Sequence, residues 1–248
     1  FNAFFMWHVH HAGMIHSGIW LPLVFYCCHR GFRCNANWFL GCSLFLVVSL
    51  FAGHPQITIY IFYAFTAYFI FMAYSLRKET GLVKSASRYG IIVLLFFLFG
   101  AVQILPTIEF LQNTARNALG YTDAVKDSLP IQSLLTIFMQ GLFRDTYESW
   151  QRWEFDCYIG VGSLLLAVLG LARRSKPETV FFGFLALLSL ALMLGENTPV
   201  YKVFYHLLPG FRFFRVPARF GYLFLFPVSV LAAYGLYSLT IMRERGVG

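Results

Sequence analysis

Charged side chains are scarce in this sequence. Only 12% of its 248 residues are Asp, Glu, Lys or Arg, whereas 58% are hydrophobic. An ordinary soluble domain has about 25% charged residues. Such a low charge content excludes an ordinary soluble globular domain, and the sequence therefore predicts an integral membrane protein.

Signatures of several enzyme classes are also absent from the sequence. It has no Gly-rich nucleotide loop, no Ser/His/Asp nucleophile arrangement, no internal repeat and no low-complexity stretch. Its five cysteines form an odd set that implies no disulfide framework. Cys27, Cys28, His29 and Cys34 are zinc-binding residue types, but adjacent cysteines lack the usual ligand spacing. No metal site is therefore predicted.

Long apolar runs are present instead. They are continuous rather than alternating, which favours membrane-spanning helices over the strands of an outer-membrane barrel. The predicted fold class is all-α, a polytopic helical membrane protein with about seven transmembrane helices. The predicted spans are residues 16–28, 37–52, 57–76, 89–105, 158–172, 179–194 and 220–241.

The distribution of charge predicts how the chain is threaded. If every apolar run crosses once, one face receives 11 of the 19 Lys and Arg residues and only 3 of the 11 acids. Positive charge collects in cytoplasmic loops, so this face is predicted to be inside. The net charge of +8 then reflects topology and gives no reason to expect a nucleic-acid partner.

This topology divides the chain into three parts. Residues 1–106 hold four transmembrane helices and the turn Gly53-His54-Pro55-Gln56, and residues 107–157 form an extracytoplasmic loop with an interfacial or re-entrant helix. Residues 158–248 hold three transmembrane helices and an Arg-rich outer loop. Because the first residue is Phe1 rather than Met, we expect a fragment of a longer chain.

Three arginines run against the charge bias. Arg212, Arg215 and Arg219 lie in the segment Leu208–Phe220, which the topology places outside. The guanidinium fork matches phosphate or carboxylate, so one interpretation is an anionic ligand held in a cavity. The alternative is a membrane anchor, in which the arginines snorkel around an aromatic belt. That belt would consist of Phe211, Phe213, Phe214 and Phe220.

Four other polar residues are predicted at the outer boundary. His54 and Gln56 offer donors and acceptors for a sugar or phosphate, or they cap exposed backbone groups. Glu109 is a functional candidate because an acid at membrane depth is costly. Its alternative role is an ion pair with Arg116.

Two further clusters leave alternatives open. His8, His11 and His16 fall near one helical face, which fits a metal site, a proton-handling role or simply a polar helix end. The aromatic and acidic run from Tyr147 to Asp156 suits carbohydrate, because aromatic faces stack on sugar rings and carboxylates accept from hydroxyls. It suits an interfacial belt equally well.

Four motifs, in order, carry a family resemblance. They are Trp20-Leu-Pro22-Leu, Gly53-His54-Pro55-Gln56, Gln103-x-x-Pro106-x-x-Glu109 and Pro209-Gly-x-Arg212-x-x-Arg215-x-Pro217-x-Arg219. In these motifs, and in the way they alternate with the spans, the chain resembles the bacterial YfhO-like multi-spanning membrane proteins. That family belongs with the GT-C type glycosyltransferases.

The resemblance implies a multi-pass cell-membrane protein with its site facing outside. Such a protein transfers a sugar from a polyprenyl-phosphate carrier to a cell-envelope glycan or polymer acceptor. It implies membrane lipid as a partner and no cofactor in this part of the chain, and it leaves a divalent metal open. The alternatives are a transporter or flippase, and a non-catalytic envelope assembly protein.

The resemblance also implies which part of the site lies here. The catalytic acid of GT-C proteins is expected upstream of Phe1, so the residues present would bind acceptor or carrier phosphate. These are His54, Gln56, Glu109, Arg116, Arg212, Arg215 and Arg219.

The predicted topology can be tested by single-cysteine labelling in intact cells. In a cysteine-free background, a cysteine at position 82 should resist an impermeant reagent, because the loop around it is predicted to be cytoplasmic. A cysteine within the 107–157 loop should react. Labelling at position 82 from outside would refute the topology.

Overall fold

The structure, a computed structural model, describes residues 3–114, 120–143, 145–173 and 176–244. Throughout these residues the regular secondary structure is helical, which confirms the predicted all-α fold class. The chain divides into two compact units, one of residues 11–118 and one of residues 1–10 with residues 119–248. We call them the middle unit and the terminal unit. The division into 1–106, 107–157 and 158–248 concerns membrane sidedness and stays a prediction.

Thirteen α-helices are found in the described residues. They are α1 (Ala3–Trp7), α2 (Ala12–Gly18), α3 (Leu21–Arg33), α4 (Trp38–Phe51), α5 (Pro55–Ser75), α6 (Arg77–Thr80), α7 (Leu82–Gln112), α8 (Tyr121–Ala124), α9 (Ser149–Phe155), α10 (Val161–Arg173), α11 (Pro177–Met193), α12 (Pro199–Leu207) and α13 (Gly221–Glu244). Short 3₁₀ helices cover His8–His10, Ile131–Ile137, Gly195–Asn197, Phe211–Phe213 and Pro217–Phe220.

A helix lies at each of the seven predicted spans. Within the described residues, three segments are long and apolar enough to cross a membrane, namely α5, α7 and Pro217–Met242. The helices α4, α10 and α11 are apolar but shorter. The all-α membrane protein is thus confirmed, and the count of seven crossings stays a prediction. The helix expected in the outer loop is a seven-residue 3₁₀ helix, Ile131–Ile137.

The middle unit is built around α4, which packs against α3 and α7. A buried hydroxyl network ties the helices at one end, where Ser49 Oγ donates to the Ser17 carbonyl at 2.9 Å and lies 3.0 Å from Thr58 Oγ1. The α7 helix leaves apolar side chains exposed along its length. The most exposed of these include Leu94, Leu98, Val102 and Leu105. An apolar exposed helix face is what a lipid environment permits.

The terminal unit is held by close packing of α13 against α10 and α11. At the crossing of α10 and α13, Gly170 and Gly235 let the two backbones touch. A Cβ atom built on Gly235 would overlap the carbonyl oxygen of Leu166, and one on Gly170 would overlap that of Leu231. Small residues permit such close approach of membrane helices.

Substituting Gly235 by Ala should therefore destabilise the terminal unit. The added methyl group meets backbone that cannot rotate away, and overpacking of this kind costs about 1–3 kcal/mol. The matched control is Gly90→Ala on α7, where a new Cβ meets nothing within 4 Å. Unfolding of each purified variant by heat or denaturant measures its stability relative to the parent protein. Equal stability of the two variants would contradict the packing described.

Candidate functional site

Pro209 and Pro217 predict that the Arg-rich segment does not form a plain α-helix, and the structure confirms this. The segment passes through two short 3₁₀ helices, Phe211–Phe213 and Pro217–Phe220, and Phe214 between them is extended. Val216 has a φ of 62°, which is a strained conformation for a β-branched residue. Its N–H donates to the carbonyl of Lys126 at 3.1 Å, so the strained turn is held by the loop that follows α8.

The three arginines of this segment have different surroundings. Arg212 and Arg215 are exposed. The guanidinium of Arg212 lies 4.8 Å from the ring centroid of Phe213. Arg219 is 25% exposed, and its Nε donates to Oε1 of Glu154 at 2.9 Å. Arg219 therefore has an anionic partner within the protein and is half-buried, whereas Arg212 and Arg215 are exposed residues.

The predicted aromatic belt is only partly at the surface. Phe211 and Phe220 are buried, with ring centroids 5.8 Å apart and both within 6.5 Å of the Tyr201 ring. They belong to the core of the terminal unit. Phe213 and Phe214 are half-buried. An anchoring belt would have to rest on these two rings.

A buried charge at this site is Glu154, which the sequence indicated only as one acid of the run from Tyr147 to Asp156. The side chain of Glu154 is 7% exposed and is contacted from two sides. Arg219 binds Oε1, and Nε2 of the fully buried His8 lies 3.4 Å from Oε2. The sequence had left a proton-handling role for His8 open. It gave no sign of a carboxylate partner, because His8 and Glu154 are far apart along the chain.

The partners of Glu154 determine its protonation. Burial alone would raise the pKa of the carboxyl group, but the His8 ring and the Arg219 guanidinium outweigh burial and hold the pKa below its usual value. The Asp127 carboxyl is affected in the opposite sense. Burial raises its pKa, although Lys126 and other neighbours partly oppose this.

An aromatic cleft lies in the same unit, formed largely by the predicted aromatic and acidic run. It encloses about 290 Å³, part of it open to solvent. Its lining includes Trp7, Phe143, Tyr147, Arg152, Phe155 and Asp156. Rings of this kind can stack on the apolar face of a sugar.

The polar groups of the aromatic cleft are engaged within the protein. Asp156 accepts hydrogen bonds from Trp7 Nε1 at 3.2 Å and from the N–H groups of Gly141 and Tyr158, each at 3.3 Å. Burial nevertheless raises the pKa of the Asp156 carboxyl. Arg152 Nε donates to the carbonyl of Tyr147 at 3.0 Å. The cleft therefore offers aromatic faces more readily than unused polar groups.

The predicted site residues of the middle unit are placed differently. His54 is the N-cap of α5, and its Nδ1 accepts from the N–H of Ile57 at 3.4 Å, as the capping alternative requires. Gln56 is buried and donates to Tyr60 Oη at 2.7 Å. Glu109 is exposed on α7.

Arg116, the fourth of these residues, lies outside the described part of the chain. A ligand site shared by His54, Gln56 and Glu109 stays a prediction, as does ligand binding by Arg212, Arg215 and Arg219. Within the described residues, no group of three or more His, Cys, Asp or Glu side chains is arranged to hold a metal ion.

Comparison with known proteins identifies a family. The family model for the bacterial membrane protein YfhO matches residues 1–246, nearly the whole chain. No curated protein and no solved structure matches the chain. The resemblance to YfhO-like proteins that the four motifs indicate is thereby confirmed. The family's description names a membrane protein and no activity.

The ion pair of Glu154 predicts how the terminal unit responds to acid. A carboxyl with a lowered pKa in the folded state adds stability above its ordinary value of 4.5, and this stability is lost as pH falls through the lowered value. Glu154→Gln should remove that acid-dependent loss. Because the amide can still bond to Arg219 and His8, the variant should lower the free energy of unfolding at pH 7 by only about 0.5 kcal/mol.

Unfolding between pH 7 and pH 3 measures both effects. The exposed acid Asp145 supplies the control variant, Asp145→Asn. An acid dependence that is the same for Glu154→Gln as for the parent would show that the buried ion pair does not stabilise the fold.

Proposed function

This chain belongs to the YfhO family of bacterial membrane proteins, and from that membership we propose a function. The chain is part of a glycosyltransferase-like membrane protein. This protein transfers a sugar from a polyprenyl-phosphate carrier to a cell-envelope acceptor on the outer face of the membrane. The proposal rests on one structural observation, the pair of exposed guanidinium groups of Arg212 and Arg215.

Arg212 and Arg215 are suited to a phosphate on a lipid carrier. They lie on a turn between Gly210, which has a φ of 90°, and Val216, whose N–H fixes the far end by donating to the Lys126 carbonyl at 3.1 Å. A fixed turn loses little conformational freedom when a ligand binds. Guanidinium groups bind phosphate through two parallel hydrogen bonds, which is a stronger and more directional contact than a single charge provides.

Arg219 has a different part in this proposal. Its Nε is engaged by Glu154, so its charge is largely balanced within the protein. We therefore assign phosphate binding to Arg212 and Arg215, and we assign Arg219 to holding the end of the turn. A carrier that approaches from the membrane meets the two exposed arginines in this arrangement.

In the same proposal, the aromatic cleft binds the sugar. The rings of Trp7, Tyr147 and Phe155 line it, and such rings stack on the C–H faces of sugars. Because Asp156 is engaged by three internal donors, sugar recognition there depends on stacking more than on hydrogen bonds to this carboxylate. Both features lie within the terminal unit.

Arginine substitutions test the proposal. Arg212→Ala and Arg215→Ala should each weaken binding of a polyprenyl phosphate in lipid nanodiscs by roughly ten- to a hundredfold, because each removes charge-assisted hydrogen bonds of about 1.5–3 kcal/mol. Arg215→Lys should recover only part of the loss, since lysine lacks the bidentate fork. Sugar transfer by the full-length protein should fall in parallel.

Arg33→Ala is the matched control, because Arg33 is also exposed and lies on the predicted inner face. Its effect on carrier binding should be small. Folded Arg212 and Arg215 variants that bind and transfer like the parent would identify these arginines as membrane anchors. Carrier binding without sugar transfer by the full-length protein would instead favour a flippase.

A further inference from the structure

His8 and Glu154 meet in the interior of the terminal unit. The His8 side chain is 0% exposed, that of Glu154 is 7% exposed, and Nε2 and Oε2 are 3.4 Å apart. We propose that these two side chains together bind one proton, and that this proton holds the N-terminal segment, residues 3–10, against the rest of the unit. The inference does not depend on the proposed sugar transfer.

The first step concerns the His8 ring. Its Nδ1 lies 2.8 Å from the carbonyl oxygen of Phe4. A carbonyl oxygen only accepts hydrogen bonds, so Nδ1 carries the hydrogen of this contact. A neutral imidazole has a single N–H group. In the neutral ring, Nε2 therefore presents a lone pair to Oε2 of Glu154.

The second step concerns the carboxylate. Within the described residues, Oε2 of Glu154 accepts no hydrogen bond of ordinary geometry. If Glu154 is ionised and His8 is neutral, the carboxylate oxygen Oε2 faces the lone pair of Nε2 in a buried site. This arrangement is unfavourable, because neither Oε2 nor Nε2 receives a hydrogen from the other and burial has removed water from both. One proton between the two atoms removes the conflict. It gives either an imidazolium with a carboxylate or an imidazole with a carboxylic acid, and both forms have the same net charge.

The surrounding groups favour the first form. Arg219 donates to Oε1 at 2.9 Å, and its positive charge stabilises the carboxylate. Other titratable groups approach Glu154 or the N-terminal segment from the neighbouring elements. They are Asp127 in the loop after α8, Asp156 and Cys157 after α9, and Tyr222 on α13. Asp156 accepts a hydrogen bond from Trp7 Nε1, whereas the His8 ring lies beside Glu154.

The proton has a consequence for the aromatic cleft. Trp7 precedes His8, lines the cleft and donates to Asp156. Holding His8 in place therefore also holds one wall of the cleft. When the pair loses its proton, two lone pairs face each other and attachment of the segment weakens. The wall is then retained by the Trp7 hydrogen bond and by the packing of Phe4 and Phe5 against Tyr222.

Nitrogen NMR of the purified protein tests the protonation directly. With ¹⁵N-labelled histidine rings at pH 7, the His8 signals are assigned by their loss in His8→Gln. The expected result is a ring protonated on both nitrogens, or a neutral ring beside a protonated Glu154 carboxyl seen by ¹³C NMR. A neutral His8 ring beside an ionised Glu154 would overturn the proposal.

Amide hydrogen exchange over residues 3–10 tests the attachment. In Glu154→Gln the amide N–H can donate to the neutral His8 ring while the amide oxygen faces Arg219, so protection should stay within about threefold of the parent. Glu154→Met offers no donor or acceptor, and protection should fall by roughly ten- to a hundredfold. The control, Asp145→Asn, should not change it.

Two exchange results would also overturn the proposal. Parental protection in Glu154→Met would mean that the pair does not hold the segment. An equal loss in Glu154→Gln and Glu154→Met would mean that the carboxylate charge, and not a shared proton, holds it. The NMR measurement on the parent protein decides the protonation even if a variant fails to fold.

Discussion

The buried carboxylate of Glu154 is the constraint on which the terminal unit depends. An ionised carboxylate taken out of water costs several kcal/mol unless partners satisfy it. Arg219 approaches from the turn before α13, and His8 approaches from the N-terminal segment. Three distant parts of the chain are therefore fixed around one charge. A shift of α9 or α13 in register would leave that charge without partners, so the pairing favours a single arrangement of the helices.

The sequence predicted most of the secondary structure, because the bilayer restricts the possibilities. Backbone groups in lipid must bond within their own helix, so long apolar runs become helices. Pro209 and Pro217 likewise predicted a non-helical Arg-rich segment. What could not be predicted was the partner of Arg219. The 107–157 loop holds seven acids that are alike in the sequence, and only tertiary packing decides that Glu154 is the one buried beside the arginine.

Local details also depend on information that a single sequence does not contain. A proline within a span, such as Pro22, predicts a kinked helix, whereas α2 ends at Gly18 and a new helix, α3, begins at Leu21. Proline is favoured in a first helical turn, because the N–H that it lacks would have no partner there. His54 could have served as a ligand or as a cap, and its hydrogen bond to Ile57 shows that it caps α5. Whether His54 also contacts a ligand stays a prediction.

The length of α7 has a consequence for the choice of membrane. Arg88 and Glu109, near its two ends, are 21 residues apart, or roughly 32 Å at about 1.5 Å per residue. This distance is close to the hydrocarbon thickness of about 30 Å. Both charges can then reach opposite headgroup regions while α7 stands nearly upright. A thicker bilayer would pull one of them into hydrocarbon, so hydrophobic mismatch should sort this protein toward membranes of ordinary thickness.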